Sequence, residues 1–326
     1  MKKLLAFLLI AFMAFSVTAC GTVNDSYVAV IWKEGDTAII PGSLIDTMER
    51  AMYIENIAYT HLDSEGDSKK QYSNAEKAVN EGAAALLVNL IEVNDAEKYI
   101  TLAKGKNIPV VFFGCDIDTT VLETYEKAAC VSTDDASLVS VQGAQIKDYM
   151  ASKYDNEKDT NSLDKNNDGV FSCIALGNVD DVIAESECDL ELIDSSELLK
   201  AEIIITDNEK DALEALEALQ KEGYNKDKLV THYVPIFTVG SDADASRFTD
   251  TSEMADEDMT TFVYTVSDII GEGKMTGTVI EDRDSIAGAA VKVVGNLLKG
   301  KEIFEGIAEE NLAGKNTVKI SYIAVG

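Results

Sequence analysis

Residues 164–172, "DKNNDGVFS", place oxygen-bearing side chains at alternate positions of a tight loop. Asp164, Asn166 and Asp168 stand at positions one, three and five, and Gly169 makes the sharp turn at six. Hard cations such as calcium are held by carboxylate, amide and carbonyl oxygens, and this spacing matches the first half of a helix–loop–helix calcium site. The second half departs from it. The bidentate Glu that closes such a loop at position twelve is here Ala175, inside "FSCIALGN", which reads as a strand. Calcium takes about six to eight oxygens, so a metal here needs an acid from elsewhere in the chain. The other reading is a polar turn held by Asx-type hydrogen bonds.

Few other residues support chemistry. There are two histidines, His61 and His232, no glycine-rich phosphate loop and no elements of a nucleophilic triad, so the chain reads as a non-enzyme. Carboxylates are so abundant, 58 against 28 basic residues, that paired acids carry no weight. The net charge of −30 excludes nucleic acid, which needs clustered Lys and Arg to neutralise phosphate. Most of this charge reads as a solvated face.

The chain opens with Lys2 and Lys3, an apolar run from Leu4 to Phe15, and "VTAC" ending at Cys20. That is the layout of a secretory signal over residues 1–19. The "VTAC" box resembles that of bacterial lipoproteins, in which Cys20 becomes the lipidated first residue and 20–26 a tether. The apolar run is shorter than the roughly 20 residues of a membrane span. The reading is an exported protein held at the outer face of the cytoplasmic membrane or in the periplasm by a lipid anchor. Cys115, Cys130, Cys173 and Cys188 follow, neither dense nor in CxxC spacing, and read as buried free thiols.

The elements that must position these residues alternate strictly. Strands are expected at 27–32, 57–64, 84–90, 108–114 and 128–135, with helices near 42–53, 73–82, 95–106 and from 136 onward. After the 164–172 loop, strands are expected at 171–177, 188–194, 202–207, 235–240, 260–266 and 276–282, helices at 210–224 and 285–300, and a closing strand at 317–326. Continuous apolar strands between amphipathic helices imply a parallel sheet covered on both faces. The fold class is therefore α/β, with two doubly wound parallel-sheet lobes joined by short hinges. Lobe one is expected to take 27–132 and 283–315, and lobe two 133–282 and 316–326.

Seven ordered segments carry a family resemblance: "EGAAALLVNL" (81–90), "AKGKNIPVVFFG" (103–114), "YEKAACVSTDDASLVSVQGAQI" (125–146), "SLDKNNDGVFS" (162–172), "EIIITDN" (202–208), "GKMTGTVIED" (273–282) and "TVKISYIAVG" (317–326). Together they resemble the galactose/glucose-binding proteins of bacterial sugar uptake, of the type I periplasmic binding protein family. The resemblance implies a monomeric substrate-binding protein that closes two lobes on a monosaccharide such as galactose or glucose and delivers it to ABC transporter membrane subunits. It also implies a structural calcium ion held by Asp164, Asn166, Asp168, the Val170 carbonyl, Ser172 and both carboxylate oxygens of Glu202. Ser172 departs from the family's amide there. Glu202 opens a strand that is expected to lie beside 171–177.

The sugar positions transfer less well. Asp36 and Asn208 match a lobe-one acid and a lobe-two amide, although an N-cap and a turn are equally open readings. The expected aromatic near Asp36 is Ala38, the expected Asn after "VVFF" is Gly114, and the late acid and amide positions fall at Gly240, with Asp242 nearby, and Glu281. The interval 178–202 is too short for the family's ligand-bearing helix, strand and Trp segment, while 246–265 is an added stretch. Trp32 suits core or cleft alike. Two functions stay open: a transporter's sugar-binding lipoprotein, and a non-transport receptor or structural lipoprotein with a degenerate cleft.

Overall fold

The computed structural model describes residues 26–33, 43–155, 160–226, 232–240 and 266–326. The first half alternates β1 (Val28–Trp32), α1 (Leu44–Ile54), β2 (Tyr59–Asp63), α2 (Ser68–Asn80), β3 (Ala85–Val88), α3 (Ala96–Lys106), β4 (Val110–Phe113), a single turn α4 (Thr119–Leu122) and β5 (Ala128–Asp134). Then come α5 (Ser137–Ser152) and a small antiparallel pair, β6 (Tyr154–Asp155) with β7 (Thr160–Asn161). The second half runs β8 (Phe171–Leu176), α6 (Asp180–Ser186), β9 (Leu190–Leu192), β10 (Ile203–Thr206), α7 (Glu209–Lys221), β11 (Ile236–Val239), α8 (Val266–Gly271), β12 (Gly277–Glu281), α9 (Arg283–Leu298) and β13 (Thr317–Val325).

The strands are ordered β2-β1-β3-β4-β5-β13-β12-β11-β10-β8-β9. Either side of β13 the order is the same, an outer pair reversed and then three strands in sequence, so the molecule holds two copies of one doubly wound unit. Pairing is parallel throughout except between β12 and β13. Thr317–Ser321 run parallel to β5, and Tyr322–Val325 antiparallel to β12. The segment 316–326, expected in lobe two, therefore shares its pairing between the units.

Both faces of each half are covered, which is why the inner strands are apolar at every position. On the first unit, Met48 and Met52 of α1 and Ile286 and Val294 of α9 pack on one face, and Val79 and Tyr99 from α2 and α3 on the other. On the second, Leu216 of α7 and Ile269 of α8 cover one face, and Ile146 of α5 and Val182 of α6 the other. Two helices thus exchange sides: α5 follows β5 but serves the second unit, and α9 follows β12 but serves the first. Among the described residues, no helix is long and apolar enough to cross a membrane.

The expected elements are found to within a few residues, with three differences. The helix expected at 73–82 begins earlier, at Ser68, because Asp67 caps it by accepting hydrogen bonds from the amides of Lys69 and Lys70. The interval 178–202, expected to be too short for the family's helix, strand and Trp segment together, holds the two-turn α6. Of the strand expected at 260–266, only Val266 is described, and it begins α8.

Candidate functional site

The 164–172 loop sits at the amino end of β8, and Glu202 immediately precedes β10. These two strands pair in parallel, Cys173 opposite Ile203, and the Glu202 amide donates to the Ser172 carbonyl at 2.8 Å. That register brings an acid from 30 residues away to the base of the loop. Glu202 is only 3 % exposed. Its Oε1 accepts from the Lys165 amide at 2.5 Å and its Oε2 from the Ser172 amide at 2.8 Å. Lys165 Nζ donates to the Ala201 carbonyl, a second tie between loop and strand.

Inside the loop, Asp168 Oδ1 accepts from the Val170 amide, Asn166 Oδ1 from the Asp168 amide, and Asp164 Oδ2 from the Gly169 amide at 2.9 Å. Asn167 and Gly169 take left-handed backbone, φ 58° and 84°, which folds the loop inward. These are the Asx-type bonds of a polar turn, and they leave one atom unanswered. Asp164 Oδ1 is buried without a hydrogen-bond partner. A buried carboxylate oxygen without a donor is costly, and a bound cation would satisfy it. Among the described residues no three His, Cys, Asp or Glu side chains are gathered as a metal cluster. A cation held here would draw on amide, hydroxyl and main-chain oxygens as well as acids, a mixture that suits calcium.

The loop and Glu202 lie at the amino ends of their strands. In open α/β sheets ligands collect at the carboxyl ends. There the structure places the sugar-type residues separately. Asn208 caps α7: its Oδ1 accepts from the Asp211 amide at 2.9 Å, and its Nδ2 donates to Asp207 Oδ1 at 2.7 Å and Asp211 Oδ2 at 2.9 Å. Both amide hydrogens and one lone pair of Oδ1 are engaged within its own turn. Glu281, at the end of β12, accepts from the Thr133 hydroxyl of β5 at 2.7 Å. This hydrogen bond joins the two units beside β13, and nothing in the spacing of "VSTDD" signalled it. Asp36 and Asp242 lie outside the described residues, as does Cys20.

Positions where the family resemblance implies side chains are crowded. A Cβ at Gly240 meets the Ile280 γ-methyl at 2.6 Å, and one at Gly114, whose φ is 61°, meets Asn89 Nδ2 at 3.0 Å. Trp32 is a core residue, 4 % exposed and edge-on to Phe113 with centroids 5.1 Å apart. Its indole N–H donates to His61 Nδ1 at 2.8 Å, so His61 keeps its proton on Nε2, facing Glu49 at 2.9 Å. The helix α6 reaches its place because α5 offers Gly143: a Cβ there meets Glu185 Cβ at 2.8 Å.

A sequence model of the periplasmic binding protein domain matches residues 28–302. The chain belongs to this family. It is 25 % identical, over 93 % of its length and 86 % of the relative's, to the D-galactose/methyl-galactoside binding periplasmic protein of Haemophilus influenzae. Among solved structures, a Bacillus halodurans ABC transporter solute-binding protein with bound myo-inositol is similar at a TM-score of 0.51 and 16 % identity, covering 92 % of this chain and 94 % of that one. An Actinobacillus succinogenes periplasmic solute-binding protein with bound D-allose is similar at 0.54 and 11 %, covering 92 % and 97 %. At such identities these two bear on the fold alone. The periplasmic binding protein fold accounts for the paired doubly wound units and for the crossings that β13 and the exchanged helices make.

Proposed function

We propose that the chain is the extracytoplasmic, lipid-anchored solute-binding component of a sugar ABC transporter. It takes a monosaccharide between its two lobes and holds a structural calcium ion in lobe two. The observation that carries this reading is the family match over 28–302 together with the relative that binds D-galactose and methyl-galactoside, similar across nearly the whole chain. Asp164, Asn166, Asp168, the Val170 carbonyl, Ser172 and Glu202 would hold the ion. Its role is to neutralise the loop's acids and tie the loop to β10. The remote position of the loop from the carboxyl ends of the strands argues against any part in ligand contact.

Lipid anchoring rests on "VTAC" following the apolar run of the leader. Cys20→Ala is expected to lose detergent-phase partitioning completely. A variant still lipidated and cut at the same point would end this part of the reading.

Ligand residues are proposed at Asp36, Asn208, Asp242 and Glu281. The engaged amide of Asn208 and the bare Gly114 and Gly240 favour a second reading, a receptor or structural lipoprotein whose cleft no longer takes hexoses. A thermal melt against a panel of sugars and polyols, with and without calcium, separates the two. A ligand at a hundred times its Kd adds about 2.7 kcal/mol to stability. For a chain of this size that raises the Tm by several degrees. One sugar or polyol giving such a shift supports the transport reading. A shift with calcium and with none of the panel supports the second.

A further inference from the structure

Two thiols that the sequence separates meet at the carboxyl end of β4. Cys130 lies within β5, fully buried, on the sheet face it shares with Phe112. Cys115 lies just past β4, half-buried against the same apolar cluster. The chain turns there through Gly114, at φ 61°, and brings the Cys115 carbonyl to 3.0 Å from Cys130 Sγ. The Cys130 thiol donates a hydrogen bond to that carbonyl oxygen, which sets its side chain directly against Cys115.

The surroundings of Cys115 Sγ favour a thiolate. Asp116 opposes this, but its carboxylate is taken up by Lys319 at 2.5 Å and by the Ser132 hydroxyl at 2.6 Å. The Cys130 hydrogen bond foremost, then the Leu90 amide and Lys33, hold the Cys115 thiol below its ordinary range against the effect of burial. Cys130 moves the other way, because it gives that hydrogen bond and is buried. Burial pushes the Cys173 thiol up to about 12 and raises that of Cys188. One cysteine of the four is set apart.

We propose that Cys115 and Cys130 form a thiol–disulfide exchange pair, in which Cys115 attacks a low-molecular-weight disulfide and Cys130 resolves the product. The Cys115 thiolate attacks one sulfur of R–S–S–R, the S–S bond breaks, and RS⁻ leaves from a mixed disulfide on Cys115. Cys130 gives its proton to the departing thiolate and attacks Cys115 Sγ, displacing the second RS⁻, which takes a proton from water. The protein loses two electrons as its thiols become one disulfide, and the external disulfide gains them as two thiols. Disulfides of this class persist in oxidising compartments outside the cytoplasm. The compartment rests on the location proposed above, whereas the reactivity does not.

The test uses the full chain, glutathione disulfide as the probe, and peptide mapping by mass spectrometry so that each cysteine is followed separately. In the wild type, Cys115 and Cys130 are expected to disappear together into one cross-linked peptide, about tenfold faster than Cys188 is modified. In Cys130→Ser the reaction is expected to stop at a stable glutathione adduct on Cys115. In Cys115→Ser, Cys130 is expected to stay unmodified over the same time. Equal rates at Cys115 and Cys188 in the wild type overturn the proposal without recourse to any variant. So does a cross-link that uses Cys173 or Cys188. A second measurement follows alkylation of Cys115 against pH, whose inflection is expected to rise in Cys130→Ala as the hydrogen bond is lost. An unmoved inflection would show that Cys130 does not support the thiolate.

Discussion

Glu202→Ala is expected to lower the stability of the calcium-loaded protein by about 2–6 kcal/mol, and Glu202→Gln to erase its response to a chelator. Glu202 is almost wholly buried, and its two oxygens accept the Lys165 and Ser172 amides. Truncation to Ala strands both donors, at about 1–3 kcal/mol each for a buried unsatisfied group. Gln keeps one acceptor but turns an NH2 toward an amide that needs an acceptor, and it removes the negative charge from the base of the loop. The loop alone then offers five oxygens by sequence, too few for calcium. In the wild type, a chelator is expected to withdraw an ion whose binding would contribute about 2.7 kcal/mol at a hundred times its Kd. At about 1.5 °C per kcal/mol for a chain of this length, the melting temperature should fall by about 4 °C. Scanning calorimetry on both proteins, with calcium and with a chelator, reads these shifts directly. An identical chelator response in Glu202→Gln would mean that another residue closes the loop or that no site exists.

The reach of the sequence can be judged element by element. The strands β1, β3, β4 and β10 were legible because strands covered on both faces are apolar throughout, as "ALLV" in β3 is. The start of α2 was hidden because its first turn, "SKKQ", has no apolar period, and only Asp67 marks it. The helix α6 was hidden for a different reason. Seven residues beginning with two acids show no stripe, and its place depends on the non-local gap at Gly143. Trp32 was ambiguous until its partner Phe113, on the distant strand β4, fixed it in the core. Of the candidate site, the nearness of the loop to Glu202 was expected from motif and resemblance together, and the β8–β10 register provides it. The meeting of Cys115 with Cys130 was not legible, since it needs both the neighbouring of β4 with β5 and the turn at Gly114.

Calorimetry on the calcium-loaded protein is expected to find glucose and galactose bound weakly or not at all, at least about a thousandfold below a site with the full set of hydrogen bonds. Hexose recognition needs convergent hydrogen bonds and an aromatic wall. Here both Asn208 amide hydrogens are spent on Asp207 and Asp211, so a sugar oxygen must displace bonds already made in order to accept from it. Gly114 offers no side chain, and a residue added at Gly240 would strike the Ile280 methyl. The shortened 178–202 interval retains α6, whose "DDVIAES" carries acids but neither His nor Arg. Trp32, the one tryptophan, is buried against Phe113 and supplies no wall. Removing a charged or bidentate hydrogen-bonding partner from a sugar costs about 1.5–3 kcal/mol. Three such removals sum to about 4.5–9 kcal/mol, against the roughly 4 kcal/mol that a thousandfold represents. The stretch 246–265, with Arg247, Phe248, Phe262 and Tyr264, lies outside the described residues and holds the types needed to build a different site. Micromolar or tighter binding of either hexose would show that this stretch has rebuilt the cleft, and that binding should then fall at least tenfold in Arg247→Ala or Tyr264→Ala.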